Sequence, residues 1–583
     1  MLRRSKTSGG GPAAVARRGA ALSVVAMGVA AVNPFRTAAV MALSALAIGC
    51  AHRPPAQGAH AAPAAIARDA APAAESAAWW YRNGALHAHR LGAGKASARN
   101  VIVFLGDGMS LTTVAAARIL DGQRRGLAGE QHLLAWEHFP YTALSKTYNT
   151  DHQTPDSAGT MTAIATGVKT HLGAIGVSAG RVDDCADSHG KHLLSWLRLA
   201  SSAGMATGIV TTARLTHATP AATYAHVPNR EWESDREMSA DAIAAGCRDI
   251  ARQFLDFAPG RGPRVALGGG LGRFLPEAEG GRRRDGRDLT REWLDRHPGG
   301  ALVRDAAQLR AATAAPAILG LFATEHMPYH HDRDPGEHGT PDLAEMTRVA
   351  IEALSADPDG FVLLVESARI DHAHHAGNAY RALDETIAMS RAVEAALAAT
   401  SAEDTLIVVT ADHAHTLGFA GYPARGNPIL GTVRGRLSPE GRADAEMLDS
   451  LGLPYTTLSY ANGSGYVGRS ASQPAGPKRF PHKPGPYAAA TGRPDLRAVD
   501  TTDPDYLQEA LVPMHDETHG GEDVGVWAQG PGSDAFRGTM EQNVLFHLIV
   551  QAAPRLRERL CAAGTCDSAG VPVELPDPAA FGD

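Results

Sequence analysis

The chain has no apolar run long enough to form a stable membrane-spanning helix, which needs roughly 18–20 consecutive residues. The apolar stretches 20–32 and 37–49 both stop short of that length. Past the N-terminus there is no extended basic run, and the formal net charge is −7 over 583 residues, so nothing points to a nucleic-acid interface. The cluster Arg282-Arg283-Arg284, flanked by glycines and acids, reads as a solvated loop. No internal repeat is visible. Cysteine is scarce, with five residues in all, and none lies near the Asp- and His-bearing motifs described below. That argues against a thiolate-rich zinc site.

The N-terminus carries a targeting pattern. Arg3, Arg4, Arg17 and Arg18 precede the first apolar stretch, Asn33-Pro34-Phe35-Arg36 interrupts it, and the second stretch ends at Cys50. An export signal needs one basic region, one apolar run of about 7–15 residues and one processing site. The run after Arg36 supplies these alone, which places the true start downstream of Met1. Leu46-Ala47-Ile48-Gly49-Cys50 resembles a bacterial lipoprotein processing site with Cys50 lipidated; the alternative is ordinary cleavage near Ala56 or Ala59. With Cys50 set aside, four cysteines remain, an even number suited to two disulfides in an oxidising compartment. Cys561 and Cys566 are close enough to pair, which leaves Cys185 with Cys247; four free buried thiols are the alternative.

The expected organisation is a signal segment over 1–49, an Ala/Pro-rich tether over 50–78, a main body over 79–570 and a tail over 571–583. Short β-branched runs alternate with Ala-rich helical segments. Strands are expected at 101–105, 206–211, 264–267, 361–365, 405–410 and 524–527, and helices at 112–120, 157–166, 192–203, 342–354 and 379–399. Near-continuous apolar strands suit a sheet covered on both faces. The predicted fold is therefore α/β, a three-layer sandwich with a mostly parallel central sheet flanked by helices. Residues 420–514, rich in Gly, Pro, Arg and Ser, read as an insertion.

In open α/β sheets, ligands bind beyond the carboxyl ends of the strands. Asp107 follows the first predicted strand; His217 and Thr219 follow the second; Glu366, Asp371 and His375 follow the fourth; Asp412 and His413 follow the fifth. His519 lies just before the last strand. A lone Asp after a strand is usually a turn or a cap, and His372 and His374 could be surface residues. Asp371-x-x-x-His375 spans one helical turn, so both side chains can face one point. It is the repetition at separate strand ends that requires a common ligand. Mixed His and carboxylate sets suit Zn²⁺, whereas Asp107, Thr219 and Glu366 suit Mg²⁺. Asp156-Ser157 alone reads as a helix cap, although the helix start beside it could also hold a phosphoryl group.

Taken together, these motifs resemble the alkaline phosphatase family. The resemblance is carried by Phe104-Leu105-Gly106-Asp107-Gly108-Met109, Pro155-Asp156-Ser157, Thr216-His217-Ala218-Thr219-Pro220, Asn229-Arg230-Glu231-Trp232, Arg369-Ile370-Asp371-His372-Ala373-His374-His375, Thr410-Ala411-Asp412-His413 and Glu517-Thr518-His519-Gly520-Gly521-Glu522-Asp523. It runs from about 79 to 566, and its wording is nearer the animal-type branch. The resemblance implies hydrolysis of phosphate monoesters through a phosphorylated Ser157. It implies one zinc on Asp371, His375 and His519, a second on Asp107, Asp412 and His413, and magnesium on Asp107, Thr219 and Glu366. His217 would reach the magnesium through water, and Arg230 would clamp the phosphoryl oxygens. Cys185–Cys247 and Cys561–Cys566 match family disulfides. The 420–514 stretch matches a crown subdomain near a homodimer interface, and the location implied is the periplasm or cell envelope. Two departures stand out. Ala323 follows Gly320-Leu321-Phe322 where the animal enzymes have a calcium-binding Glu, so the extra calcium is expected to be missing. The C-terminus has no apolar tail for an animal-type anchor. Relatives with the same metal scaffold include phosphodiesterases and sulfatases, but Ser157 with Arg230 argues for monoesters. A non-catalytic metal- or phosphate-binding envelope protein would not need the whole set of residues.

Overall fold

A computed structural model describes residues 75–257, 262–436, 441–442 and 444–582. The signal segment, most of the tether and Cys50 lie outside the described residues.

The body is built on a ten-stranded sheet. Its strands are β1 (Asn100–Gly106), β2 (Tyr141–Lys146), β3 (Ala206–Arg214), β4 (Val265–Gly269), β5 (Ala301–Val303), β6 (Ile318–Leu321), β7 (Phe361–Ser367), β8 (Thr405–Ala411), β9 (Val524–Gln529) and β10 (Gly538–Glu541). The order across the sheet is β10-β2-β9-β8-β1-β7-β3-β4-β6-β5. Nine strands run parallel; β9 alone runs against its neighbours β2 and β8. The alternation of side chains along a strand explains the two layers of helix. In β1, Val101, Val103 and Leu105 enter one core, which also contains Met161 and Ile164 of the helix Ser157–Thr166 and Leu548 of the helix Val544–Ala552. Ile102 and Phe104 enter the other, with Val114 of the helix Leu111–Arg124, Met346 of Leu343–Leu354 and Leu383 of Ala379–Ala399. With both faces covered, β1 reads as a continuous apolar run, and each fully buried large side chain contributes about 1.5–3 kcal/mol.

The doubly covered parallel sheet is the predicted one, with local differences. The strands β2, β5, β6 and β10 were not expected. β2 has exposed positions on both sides of Ala143 and Ser145, and β5 spans three residues, so neither gives a continuous apolar run. The helix expected from His192 begins at Trp196, because Ser195 caps it through Arg198 N (3.1 Å) while His192 pairs with Val177 as a bridge. The cluster 282–284 is not uniformly solvated. Arg283 is 1% exposed and grips both oxygens of Asp249 at 3.0 Å, with Asp285 and Asp235 alongside. A buried guanidinium requires such pairing, and two of the three acids that supply it, Asp235 and Asp249, are remote in sequence. His374 is not a surface residue either: it is fully buried and bonds Thr113 Oγ1 (3.0 Å) and Tyr460 OH (2.7 Å).

Within residues 420–514, Leu458–Gly463 forms a small sheet with Ala510–Pro513 and with Leu417–Phe419, which lies just before that stretch. At the other end of the chain, Val571 and Val573 are buried against Ala85 of the helix Ala77–Leu91. Two disulfides close the expected pairs, Cys185–Cys247 and Cys561–Cys566.

Candidate metal centre

The register of the sheet assembles the site. Gly106 of β1 pairs with Ala411 of β8 and with Ser367 of β7. Asp107 and Asp412, the next residues along β1 and β8, therefore emerge side by side, and Glu366 sits one residue before the end of β7. Thr211 of β3 pairs with Glu366 and donates to its Oε2 at 2.5 Å. Because β9 is antiparallel, it is the segment before it, carrying His519, that arrives at this same edge.

Ser157 is the first residue of its helix, and Asp156 is the cap. Asp156 accepts from Gly159 N and Gly173 N (3.1 Å each), Asn149 Nδ2 (3.1 Å) and Arg230 NH1 (3.0 Å). Although burial pushes its carboxyl up, Arg230 and these N–H groups hold it below the usual range. The capping role thus falls to Asp156, which frees the Ser157 hydroxyl to lie 3.0 Å from His413 Nε2 and 3.4 Å from Asp107 Oδ1.

Three groups of side chains converge on shared points. Asp371, His375 and His519 form the first, with His415 beside them; Asp107, Asp412 and His413 form the second; Asp107 and Glu366, with His217, form the third. Their tautomers can be read from their partners. The Nδ1–H of His375 donates to Glu517 O (2.5 Å) and that of His519 to Pro155 O (2.7 Å), so in the neutral rings both Nε2 atoms carry free lone pairs. Yet these two Nε2 atoms lie 3.1 Å apart, both facing Asp371 Oδ1 (3.3 and 3.4 Å). Two acceptors cannot bond to each other, and a cation held between them resolves the conflict. In the third group, Asp107 Oδ2, Glu366 Oε1 and Thr219 Oγ1 are all buried without a hydrogen-bond partner among the described residues. Three orphaned oxygens suit a hard divalent ion. Burial, then the neighbouring Asp412, Asp371 and Glu366, push the Asp107 carboxyl well above its ordinary range. Burial likewise raises Glu366 to about 8. Such crowding of carboxylates is relieved when cations bind. The donors present therefore fit the expected metals.

The expected ligand residues lie at this edge with Ser157 and Arg230 beside them. Arg230 is a fifth exposed; its NH1 lies on Asp156 and its NH2 3.2 Å from His217 Nε2. Three further residues were not anticipated from sequence. His415 is wholly buried with Nε2 on Asp371 (2.8 Å) and Nδ1 on Glu517 Oε2 (2.5 Å). With a carboxylate at each nitrogen it is a protonated bridge, and burial notwithstanding, Glu517 and Asp371 raise its imidazole to about 10. Its signal was the alternation Asp412-His413-Ala414-His415, which turns His415 to the face opposite His413's neighbours. Glu517 stands in the same motif as His519 but was assigned no role there, and His326 had no local signal.

A parallel α/β sheet with clustered metal ligands at its carboxyl edge, beside a serine at a helix start, defines the class as metal-dependent hydrolases. Residues 98–554 match the family described as alkaline phosphatase. The chain is 44% identical over 473 residues to the tissue-nonspecific alkaline phosphatase isozyme of Gallus gallus, covering 78% of this chain and 84% of that one. It is 41% identical to the Homo sapiens isozyme over the same coverage. Among solved structures, the Thermus thermophilus alkaline phosphatase aligns with a TM-score of 0.56 at 26% identity, covering 81% of this chain and 96% of that one. The enzyme from the Antarctic bacterium TAB5 shares the fold, with a TM-score of 0.52 at 22% identity over 79% and 99%. The chain belongs to the alkaline phosphatase family.

Proposed function

We propose that the protein is an exported alkaline phosphatase that hydrolyses phosphate monoesters, with Ser157 as the nucleophile. The observation that carries this reading is the Ser157 hydroxyl at 3.0 Å from His413 Nε2, between the second and third ligand groups and across Asp156 from Arg230. Asp371, His375 and His519 would hold one zinc; Asp107, Asp412 and His413 a second; Asp107, Thr219 and Glu366 a magnesium, with His217 near it. When bound, the metals would polarise the phosphoryl group and lower the pKa of hydroxyl and water groups they touch. A serine hydroxyl is a weak nucleophile at its ordinary pKa, and it gains from losing its proton in this setting. The helix that begins at Ser157 points its N-terminal N–H groups toward the incoming anion. Arg230, aimed by Asp156 and His217, would grip two non-bridging oxygens with charge-assisted bonds. After the alcohol leaves, water takes the phosphoryl group from Ser157.

The location, anchoring and assembly belong to the same proposal. Two disulfides support an oxidising compartment such as the periplasm or envelope; Cys50 would carry the lipid if one is attached. A homodimer, with residues 420–514 near its interface, is the proposed assembly, a reading supported by the likeness to the family. The extra calcium is proposed to be missing: Ala323 replaces the expected Glu, and Glu325 nearby is satisfied by Arg273 NH1 at 3.0 Å.

The test is hydrolysis of p-nitrophenyl phosphate and its bis-ester by the metal-loaded protein and by Ser157→Ala. The monoester should be strongly preferred, and Ser157→Ala should cut kcat on the order of 10⁴-fold or more, as for loss of other enzyme nucleophiles. Preference for the bis-ester, or a variant as fast as the wild type, would sink the reading.

A further inference from the structure

Outside the ligand groups, a single buried carboxylate joins the loop carrying Arg230 to the turn carrying His217. Glu233 lies three residues after Arg230 and is 4% exposed. It accepts from Arg214 through two nitrogens, Nε to Oε2 at 2.7 Å and NH2 to Oε1 at 2.5 Å, and its Oε2 also accepts from Thr216 Oγ1 at 2.5 Å. Arg214 and Thr216 flank the turn that the His217 N–H closes on Arg214 O (2.9 Å). The remaining nitrogen of Arg214, NH1, reaches His326 Nε2 at 2.5 Å. The His326 ring packs against His372, with centroids 4.2 Å apart, and edge-on to His217 at 5.2 Å.

The three imidazoles His217, His326 and His372 are close enough to share a metal, but their partners argue otherwise. The Nε2 lone pairs of His326 and His217 already face guanidinium N–H groups, from Arg214 and Arg230 respectively. A ligating histidine presents a free lone pair and turns its other N–H to a carboxylate or carbonyl. Here two of the three imidazoles face the chain's own cations.

We propose that Glu233 is a positioning residue for Arg230. With Arg214 and His326 it fixes the 214–217 turn against the Arg230 loop, and so sets the angle at which the Arg230 fork meets the phosphoryl oxygens. This rests on the reading of Arg230 as the phosphoryl clamp. Interactions between residues acting through one contact are non-additive, and a double-variant cycle isolates them.

The experiment measures kcat, KM and competitive inhibition by inorganic phosphate for the metal-loaded wild type, Arg230→Ala, Glu233→Gln and the double variant. Glu233→Gln should weaken phosphate inhibition and raise KM about tenfold, a shift within the range of coupled neighbours, with a smaller effect on kcat. In the Arg230→Ala background the same substitution should change neither by more than about twofold. Equal losses in both backgrounds, or no loss in the wild-type background, would overturn the inference. If Arg230→Ala alone leaves phosphate inhibition unchanged, the clamp reading fails and this inference falls with it; additive losses sink only the positioning role of Glu233. Should Glu233→Gln not fold, His326→Asn, which removes the imidazole from Arg214 NH1 (2.5 Å) and from its backbone N–H (3.3 Å), goes through the same cycle. It should give about a threefold shift in the wild-type background alone, and additivity is again the refuting result.

Discussion

Replacing His415 with alanine should loosen the metal held by Asp371, His375 and His519 while sparing the others. His415 touches no expected metal, yet it clamps the oxygen of Asp371 that faces His375 and His519, and it is itself held by Glu517. Without it, Asp371 loses a 2.8 Å charge-assisted bond and is free to rotate away from the two Nε2 atoms. Glu517 keeps its bonds from Thr416 N (2.6 Å) and Thr416 Oγ1 (2.5 Å), which limits the wider damage. Residues that orient metal ligands typically contribute 10–100-fold in affinity, about 1.4–2.7 kcal/mol. Competition with a chromophoric chelator would release the metals in order. One zinc should be lost at a free-zinc level about 10–100-fold higher than in the wild type, with the site of Asp107, Asp412 and His413 little changed. Identical release curves would refute the argument; so would uniform weakening of all sites, which would mean that His415 only supports the fold.

Other consequences can be tested on the whole protein. His547 is wholly buried against Tyr81 and Phe546, and burial drives its imidazole down to about 3. The unfolded chain therefore binds a proton below about pH 6.5 that the folded chain refuses, and stability falls as pH drops from there toward 3. At pH 5.5 this costs about 1.4 kcal/mol. Urea melts at pH 7.5 and 5.5 should show that His547→Gln loses less stability than the wild type by about that amount, and equal losses would contradict the assignment. The Cys185–Cys247 bridge joins residues 62 apart, and on the chain-entropy estimate its loss should cost about 4 kcal/mol. A Cys185→Ser/Cys247→Ser variant should melt well below the wild type in non-reducing buffer; an unchanged Tm would show that the closed loop contributes nothing.

The parallel core was legible because its strands are covered on both faces. Val101–Leu105 and Thr405–Thr410 are continuous apolar runs, and the ligands that follow them fall at the strand ends. β2 and β10 were hidden at the sheet's edge, where β2's alternate residues are exposed and its pairing depends on β9. The ligand types were legible because they repeat at several strand ends. Their supporting residues were not: Glu233 reads as one acid in a polar loop, and Glu517 as part of a turn, until the fold brings each to a buried partner. Arg283 illustrates the same limit in reverse. A triple arginine beside glycines and one acid looks solvated because two of the acids that bury Arg283, Asp235 and Asp249, lie elsewhere in the chain.

The reversed direction of β9 has a consequence for how the molecule is made. Tyr141–Lys146 is joined to the rest of the sheet only through Val524–Gln529, which sits between it and Thr405–Ala411. Synthesised early, this strand has to wait for a segment nearly at the far end of the chain before it has a neighbour on that side. The same late segment brings His519 to Asp371 and His375. Closing the sheet and completing the first ligand group therefore both depend on the last part of the chain, so a chain halted before His519 would have an open strand edge and a metal pocket short of its last imidazole.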